Sequence, residues 1–298
     1  MSPATRSILS LLGTRGVQVA IGPFLVHVRS ELTGVRDYLE RFYDDFPMAE
    51  GGEGHFDLAV VAGRGMRRWV RPQASIVING ARPFLPLPAL LAGASMEWGM
   101  NWCVGRSAHH WVAVHAAVVE RGGRVLILPA PPGSGKSTLC AALVCAGWRL
   151  FSDEFALIDP DSGRVLPIPR PISLKEASIE VIRRRDPQVV FGPEAHDTEG
   201  SRFVHMRPPS DSVRRADESA RPGWVIVPRF VAGQPTTFER LPKARALMQL
   251  TDQSFNYNYL GPKGYTCLAE LVRETDCYRL EYSDLDEVLA LLARVTAS

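Results

Sequence analysis

Apolar positions fall into two rhythms along the chain. Val17 to Val28, VQVAIGPFLVHV, is rich in β-branched residues and is interrupted at Gly22 and Pro23, which predicts two short strands or a hairpin. Val35, Tyr38, Leu39, Phe42 and Phe46 then recur at helical spacing, and Pro47 with Gly51 and Gly52 closes that segment. Strand-like FDLAVVA (residues 56–62), RRWVRP (67–72) and SIVING (75–80) follow. A proline-rich connector over 83–88 and a helix over 89–103 complete a first third of mixed α and β character.

From Trp111 the pattern is WVAVHAAVVE, a turn at Arg121 to Gly123, then RVLILP, which predicts a β-hairpin running into a glycine-rich loop. A hairpin at this point predicts a mixed sheet, because doubly wound folds bring their first parallel strand in from a helix or the N-terminus. Ser137 to Ala146 reads as a short apolar helix that Gly147 ends in the left-handed conformation. WRLFSDEFALID reads as one strand. A helix is expected after PIPRPISLKE, with Ser173 and Glu176 spaced as a capping box. Residues 192–222 are polar and irregular and predict a mobile surface loop or lid. WVIVPRF is a further strand, Pro242 to Leu250 a helix, and FNYNYLG (255–261) an aromatic and polar loop. A helix, the strand CYRLEY and a last helix opened by Ser283 finish the pattern.

Composition narrows the class. At 298 residues and 46% hydrophobic, the chain holds ample core for one large or two modest domains. Thirty-four Lys and Arg stand against thirty-two Asp and Glu, so a formal charge of +2 points toward neither nucleic acid nor an anionic membrane. Arg64, Arg67, Arg68 and Arg71 form one basic cluster and Arg183 to Arg185 another, and both read as solvated faces. Five cysteines without a C-x-x-C suggest neither a disulfide framework nor a zinc site and fit a reducing cytosol. The apolar run Ile8 to Leu12 is too short for a signal-peptide core, and Pro83 to Met96 is too short to span a bilayer. A cytoplasmic protein without membrane insertion is expected.

The chemistry concentrates in Ala130 to Ser137, APPGSGKS, which fits Walker A spacing with Ala in place of the leading Gly. Gly133 and Gly135 let backbone N–H groups converge on phosphate oxygens, Lys136 reaches the outer phosphates, and Ser137 can ligate Mg2+. Pro132, Gly133, Ser134, Gly135, Lys136, Ser137 and Thr138 are thus the expected nucleotide contacts. Asp153, at the end of the apolar step Trp148, Leu150, Phe151, stands where a Mg2+ carboxylate is expected. Glu154 follows at once. Neighbouring strand residues face opposite sides, so both acids serve one site only if the strand bends there. In that case one acid holds metal and the other takes a proton from an acceptor hydroxyl.

His115 lies on the strand paired with the one that feeds the loop, within reach of the acids, whereas His109 and His110 have no such placement. Lys175 is expected in the first turn of the helix capped by Ser173, where free N–H groups and a cation suit an anion. His205, Arg207, Arg229 and Asn256 are further candidates for acceptor binding or for a cation at the transition state.

Taken together, His115 in the strand before the loop, the hairpin VERGGRVLIL, the loop APPGSGKST and the acids in FSDE resemble the HPr kinase/phosphorylase family and its HPr kinase-related members. The resemblance runs from about residue 106 to the C-terminus. It implies a phosphoenolpyruvate carboxykinase-like P-loop kinase domain over 106–298, preceded by an α+β accessory region over 1–105. It also implies transfer of the γ-phosphate of ATP, with Mg2+, to a hydroxyl, typically a serine, with His115, Lys136, Ser137, Asp153 and Glu154 in the active site. By analogy with the family a homo-oligomer, a hexamer, is expected.

Two departures stand out. The family's loop reads Ser-Gly-x-Gly-Lys-Ser and its acidic pair is two aspartates, whereas here Pro131 and Pro132 precede Gly133 and the second acid is Glu154. The glycine-rich signature of the family's substrate-capturing loop is missing, which takes away the support for HPr as the acceptor; an unidentified hydroxyl on a protein, peptide or small molecule is expected. The alternative reading is a nucleotide-binding regulatory or assembly protein with little or no phosphotransfer. A transport or switch NTPase is disfavoured, because neither an LSGGQ-like signature nor an [NT]-K-x-D motif is present.

Overall fold

The computed structural model of the chain describes residues 3–296. The chain divides into two compact units, Met1–Ser107 with Gly192–Ala195, and Ala108–Phe191 with His196–Ser298. Both combine helices with mixed sheets.

In the first unit, α1 (Pro3–Leu9) precedes a six-stranded sheet of β1 (Val17–Ile21), β2 (Phe24–Ser30), β3 (Met48–Glu50), β4 (Phe56–Ala62), β5 (Gln73–Ile78) and β6 (Leu87–Pro88). Its order is β3–β1–β2–β4–β5–β6, and β2 and β4 run parallel. The hairpin turns at Gly22 and Pro23, with Ile21 opposite Phe24. Two helices, α2 (Thr33–Phe42) and α3 (Ala92–Ser107), pack on each other, and α3 lies on β4 and β5. The apolar stripe Val35, Tyr38, Leu39 and Phe42 is buried, as its helical spacing requires. RRWVRP is not a strand. Its residues belong to a 3-10 turn, Gly65–Arg68, and the exposed loop after it, because the segment has no partner strand and alternates neither charge nor burial.

The second unit is built on an eight-stranded mixed sheet. Its strands are β7 (Val112–Arg121), β8 (Arg124–Pro129), β9 (Arg149–Ser152), β10 (Phe155–Ile158), β11 (Val165–Leu166), β14 (Arg221–Phe230), β15 (Thr237–Arg240) and β16 (Asp276–Tyr282). Beside it β12 (Ile172–Lys175) pairs antiparallel with β13 (Arg202–Met206). The order is β11–β10–β7–β8–β14–β16–β15, with β9 also paired to β7. β7 and β8 form the expected hairpin, whose turn residues Gly122 and Gly123 sit at φ 62 and 80, as a two-residue type I′ turn demands. β8, β14 and β16 are parallel to one another, so their C-terminal ends meet at one edge.

Helices cover both faces of this sheet. Ala117, Val119, Leu126 and Leu128 bury against α4 (Lys136–Cys145), α5 (Ala177–Arg185) and α9 (Leu285–Val295). Their alternates Val114, Ala116, Val118, Val125 and Ile127 bury against α7 (Lys243–Asp252) and α8 (Gly261–Glu274) on the other side. The short α6 (Ser210–Arg214) lies against β9. Because α4 is enclosed on every side, it is apolar all round rather than striped. Each of its fully buried leucines, Leu139 and Leu143, contributes roughly 2 kcal/mol through burial. It ends as its sequence predicts, with Gly147 at φ 87 and Trp148 N–H returning to Leu143 O.

Three further expectations change. Residues 192–222 are not one irregular lid, since they carry β13, with Phe203 to Met206 buried, and α6. Ser173 caps no helix: it lies inside β12, and α5 begins at Ala177 after Glu176 turns the chain at φ 50. The last helix is opened by Asp284, whose carboxylate accepts from the N–H groups of Asp286 and Glu287, and not by Ser283. Among the described residues no helix is long and apolar enough to cross a membrane.

Candidate functional site

The glycine-rich loop leaves β8 at Pro129 and enters α4 at Lys136. Gly133 and Gly135 sit at φ 81 and 87, a region open to glycine and costly for other residues. Gly135 has a second constraint. A Cβ there would lie 2.8 Å from the Tyr282 hydroxyl oxygen and 2.9 Å from Phe230 Cβ. Tyr282 donates to Gly135 O (3.2 Å) and Phe230 N–H to Ser134 O (2.9 Å), so the ends of β14 and β16 fix the loop from behind. The first turn of α4 then presents backbone N–H groups with the positive end of the helix dipole, which suits a phosphate-like anion. Ser134 Oγ is buried there without a hydrogen-bond partner.

The register of β7 brings His115 to this loop. Ala116 pairs with Pro129, the last residue of β8, so His115 lies one step beyond, at the mouth of the loop. On its other side His115 pairs with Phe155. Its ring holds Lys136 and Glu154 at once: Nε2 is 2.6 Å from Lys136 Nζ, and Nδ1 is 3.2 Å from Glu154 O and 3.3 Å from Glu154 Oε2. The lysine has only protons to offer, so Nε2 accepts and the proton of a neutral imidazole sits on Nδ1. Burial, and then the Lys136 charge, lower the His115 pKa. Burial lowers that of Lys136 as well, against the pull of Asp153 and Glu154.

The chain does bend at the acids. Strand pairing with β7 stops at Ser152 and resumes at Phe155, and between them Ser152 Oγ accepts from the N–H groups of Glu154 and Phe155. Asp153 is 4% exposed, while the Glu154 side chain keeps about a third of its surface and turns to His115. The Ser137 hydroxyl and the Ser173 backbone N–H lie near the Asp153 carboxyl and favour its charged form, yet Asp153 Oδ1 is buried with no partner. Burial first, and then the charge of Glu154, push the Asp153 pKa up to about 8. A bare oxygen of this kind beside a serine hydroxyl fits a hard divalent cation. No cluster of three His, Cys, Asp or Glu able to hold a metal occurs among the described residues, so a cation here would complete its shell with ligand oxygens, as Mg2+ does on nucleotide phosphates.

The remaining predicted residues are placed as follows. Asn256 is buried, and its carboxamide accepts from Ala113 N–H (2.9 Å) and donates to Ala108 O (2.7 Å) and Trp111 O (2.9 Å). These bonds anchor the start of β7 and leave the side chain no donor for a substrate. His205, opposite Ser173 in the β12–β13 pair, is buried, and burial followed by the Arg170 charge lowers its pKa to about 4. It is therefore neutral at pH 7 and supplies no cation. Lys175 ends β12 rather than starting a helix, and its exposed ammonium pairs with Asp197 at 2.8 Å. The Arg207 N–H bonds Val190 O (2.9 Å). Arg229, mostly exposed, pairs with Glu281 (3.2 Å) one residue before Phe230 and so stands at the rim of the loop.

Phe255, which only the aromatic character of FNYNYLG hinted at, meets the His115 ring edge-on at 6.1 Å and the Phe155 ring at 5.2 Å. His115 N–H bonds Gln253 O (2.8 Å), and a cleft of about 340 Å3 opens here, lined by His115, Asp252, Gln253, Ser254 and Phe255. Another cleft, about 470 Å3, lies at the turn end of the same hairpin around Trp148 and Arg215, where the buried Arg149 and Glu120 pair at 2.6 Å. It is remote from the loop. Compared with protein-family models and with curated proteins, the chain matches none.

Proposed function

We propose that the protein is an ATP- and Mg2+-dependent kinase of the HPr kinase-related type, with the phosphoenolpyruvate carboxykinase-like P-loop fold in its second unit, acting on a serine-type or small-molecule hydroxyl. The observation that carries this reading is the unpartnered, buried Asp153 Oδ1, set beside Ser137 and Lys136 on a glycine-rich loop. A buried oxygen left bare costs roughly 1–3 kcal/mol, a penalty that a bound cation removes.

In this reading Ser137 and Asp153 hold Mg2+, which when bound neutralises charge on the transferring phosphate. The N–H groups of Gly133 to Thr138 and the Lys136 ammonium bind and orient the phosphate chain. Glu154, about one third exposed and steered by His115, takes the proton of the acceptor hydroxyl. The cleft beside His115 and Phe255 gives the acceptor its approach. The test is incubation with γ-labelled ATP, Mg2+ and a lysate or metabolite extract of the host. Label should pass to a discrete acceptor and fail to do so in Lys136→Ala. Unchanged ATP turnover in that variant would sink the assignment.

A second reading, a nucleotide-dependent regulatory protein without transfer, is favoured by the burial of Asp153 and by the engagement of Glu154 with His115. Full nucleotide affinity with no transfer to any acceptor decides for it.

A further inference from the structure

From Leu58 to Met96 the sequence contains five arginines and not one Asp or Glu, within a chain whose acids and bases otherwise nearly cancel. The first unit puts much of this stretch on one surface. β5 and β6 pair antiparallel, with Gln73 opposite Pro88, and Ala89 N–H bonds Pro72 O at 2.8 Å. The loop before β5 and the segment around β6 therefore lie side by side at one edge of the sheet. From the first, Met66, Trp69 and Val70 are 76%, 79% and 57% exposed, and from the second Leu85 and Leu90 are 85% and 88% exposed. Arg64, Arg67, Arg68 and Arg71, all exposed, are interleaved with them.

Solvated arginine faces do not ordinarily carry large apolar side chains turned outward between the charges. We propose that this edge of the first unit is a peripheral docking surface for an anionic lipid bilayer. Arginines would meet lipid phosphates while Trp69, Met66 and the leucines enter the boundary between headgroups and acyl chains. A lipid surface suits the patch better than an acidic protein because the apolar groups stand out from loops, and a bilayer takes protruding groups without a matching pocket. The inference is independent of the chemistry in the second unit.

The test is sedimentation of the whole protein with vesicles of phosphatidylcholine alone or mixed with about one third phosphatidylglycerol. Binding is expected only to the anionic vesicles, weakening as salt is raised. Arg67→Gln with Arg68→Gln should lower affinity about 30-fold, near fivefold for each arginine. Trp69→Ser with Leu90→Ser should lower it about tenfold or more at unchanged charge. A vesicle-induced blue shift of tryptophan fluorescence should vanish in Trp69→Phe. No binding by the unaltered protein to either vesicle, or equal binding to both, overturns the proposal. So does a soluble polyanion, polyglutamate or RNA, that binds as tightly and is weakened as much by the Trp69 and Leu90 substitutions.

Discussion

Lys136 Nζ donates a 2.6 Å hydrogen bond to His115 Nε2, joining the first residue of α4 to the strand that flanks the loop. The bond requires a neutral imidazole, because a protonated ring would set two cations in contact. Burial and the lysine charge hold the His115 pKa below its ordinary value, so the neutral ring persists to lower pH than in a free histidine. At saturating Mg2+·ATP, where the cation has already displaced the Asp153 proton, kcat should accordingly fall toward acid only below the usual histidine range of about 6.5. In His115→Gln that acid limb should be gone and the rate lowered by about tenfold or more. A limb centred at or above the usual value, or one unchanged in the glutamine variant, counts against this arrangement.

Asp153 makes stability depend on pH in the opposite sense to most carboxylates. Its folded pKa, about 8, lies above the unfolded value of about 3.9. Between those values the folded state binds the extra proton, so its contribution is full below about pH 4 and is lost as pH rises toward 8. Asp153→Asn should melt with the parent at the acid end and gain on it steadily as pH rises toward 8 without metal. Parallel pH profiles of thermal melting in the two proteins would contradict a buried, bare carboxyl.

The same group links cation binding to proton release. At pH 7 Asp153 is largely protonated in the free protein, and a cation on its oxygens displaces that proton. Calorimetry of Mg2+·ATP binding in two buffers of different ionisation enthalpy should report a release approaching one proton at pH 7 and little above pH 9. Asp153→Asn should abolish the release.

Gly133 and Gly135 share a positive φ but not their surroundings. A Cβ on Gly133 meets nothing within 4 Å, whereas one on Gly135 strikes Tyr282 and Phe230. Gly133→Ala should cost about 1 kcal/mol of backbone strain, and Gly135→Ala about 2–4 kcal/mol with loss of nucleotide binding. Adding Tyr282→Phe, which removes the nearest atom, should restore part of that stability in denaturant titrations. Equal costs at the two glycines would show that the loop is not clamped from behind.

Asn256→Ala should strand the buried Ala113 N–H and two carbonyls and lower stability by about 3 kcal/mol. The KM for ATP should stay within about twofold of the parent below the melting range. A raised KM with unchanged melting would return Asn256 to the substrate site.

Local chemistry made the loop legible in the sequence. Two glycines before a lysine, a hairpin turn of Arg121 to Gly123 and a terminating Gly147 each impose a backbone conformation that needs no distant partner. The environment of the acids was not legible. WRLFSDEFALID alternates like one strand, and only its two separate pairings with β7, with Ser152 folding the turn between them, send Asp153 inward and Glu154 toward His115. Ser173 and Glu176 had capping-box spacing, but pairing of β12 with β13 claimed Ser173 and left Lys175 at the end of a strand. Asn256 looked like a substrate ligand because its type and its aromatic neighbours suggested one, while its bonds reach residues more than 140 positions away in the chain.

By itself the sequence determined the α/β character, the hairpin and the geometry of the glycine-rich loop, because these follow from periodicity and from residues with restricted or permissive backbones. Tertiary structure alone decided which oxygen is buried bare, which histidine nitrogen faces the lysine, and which arginines share a surface with outward-facing tryptophan and leucine. Those outcomes depend on strand register and burial, which sum contributions from segments far apart in the chain.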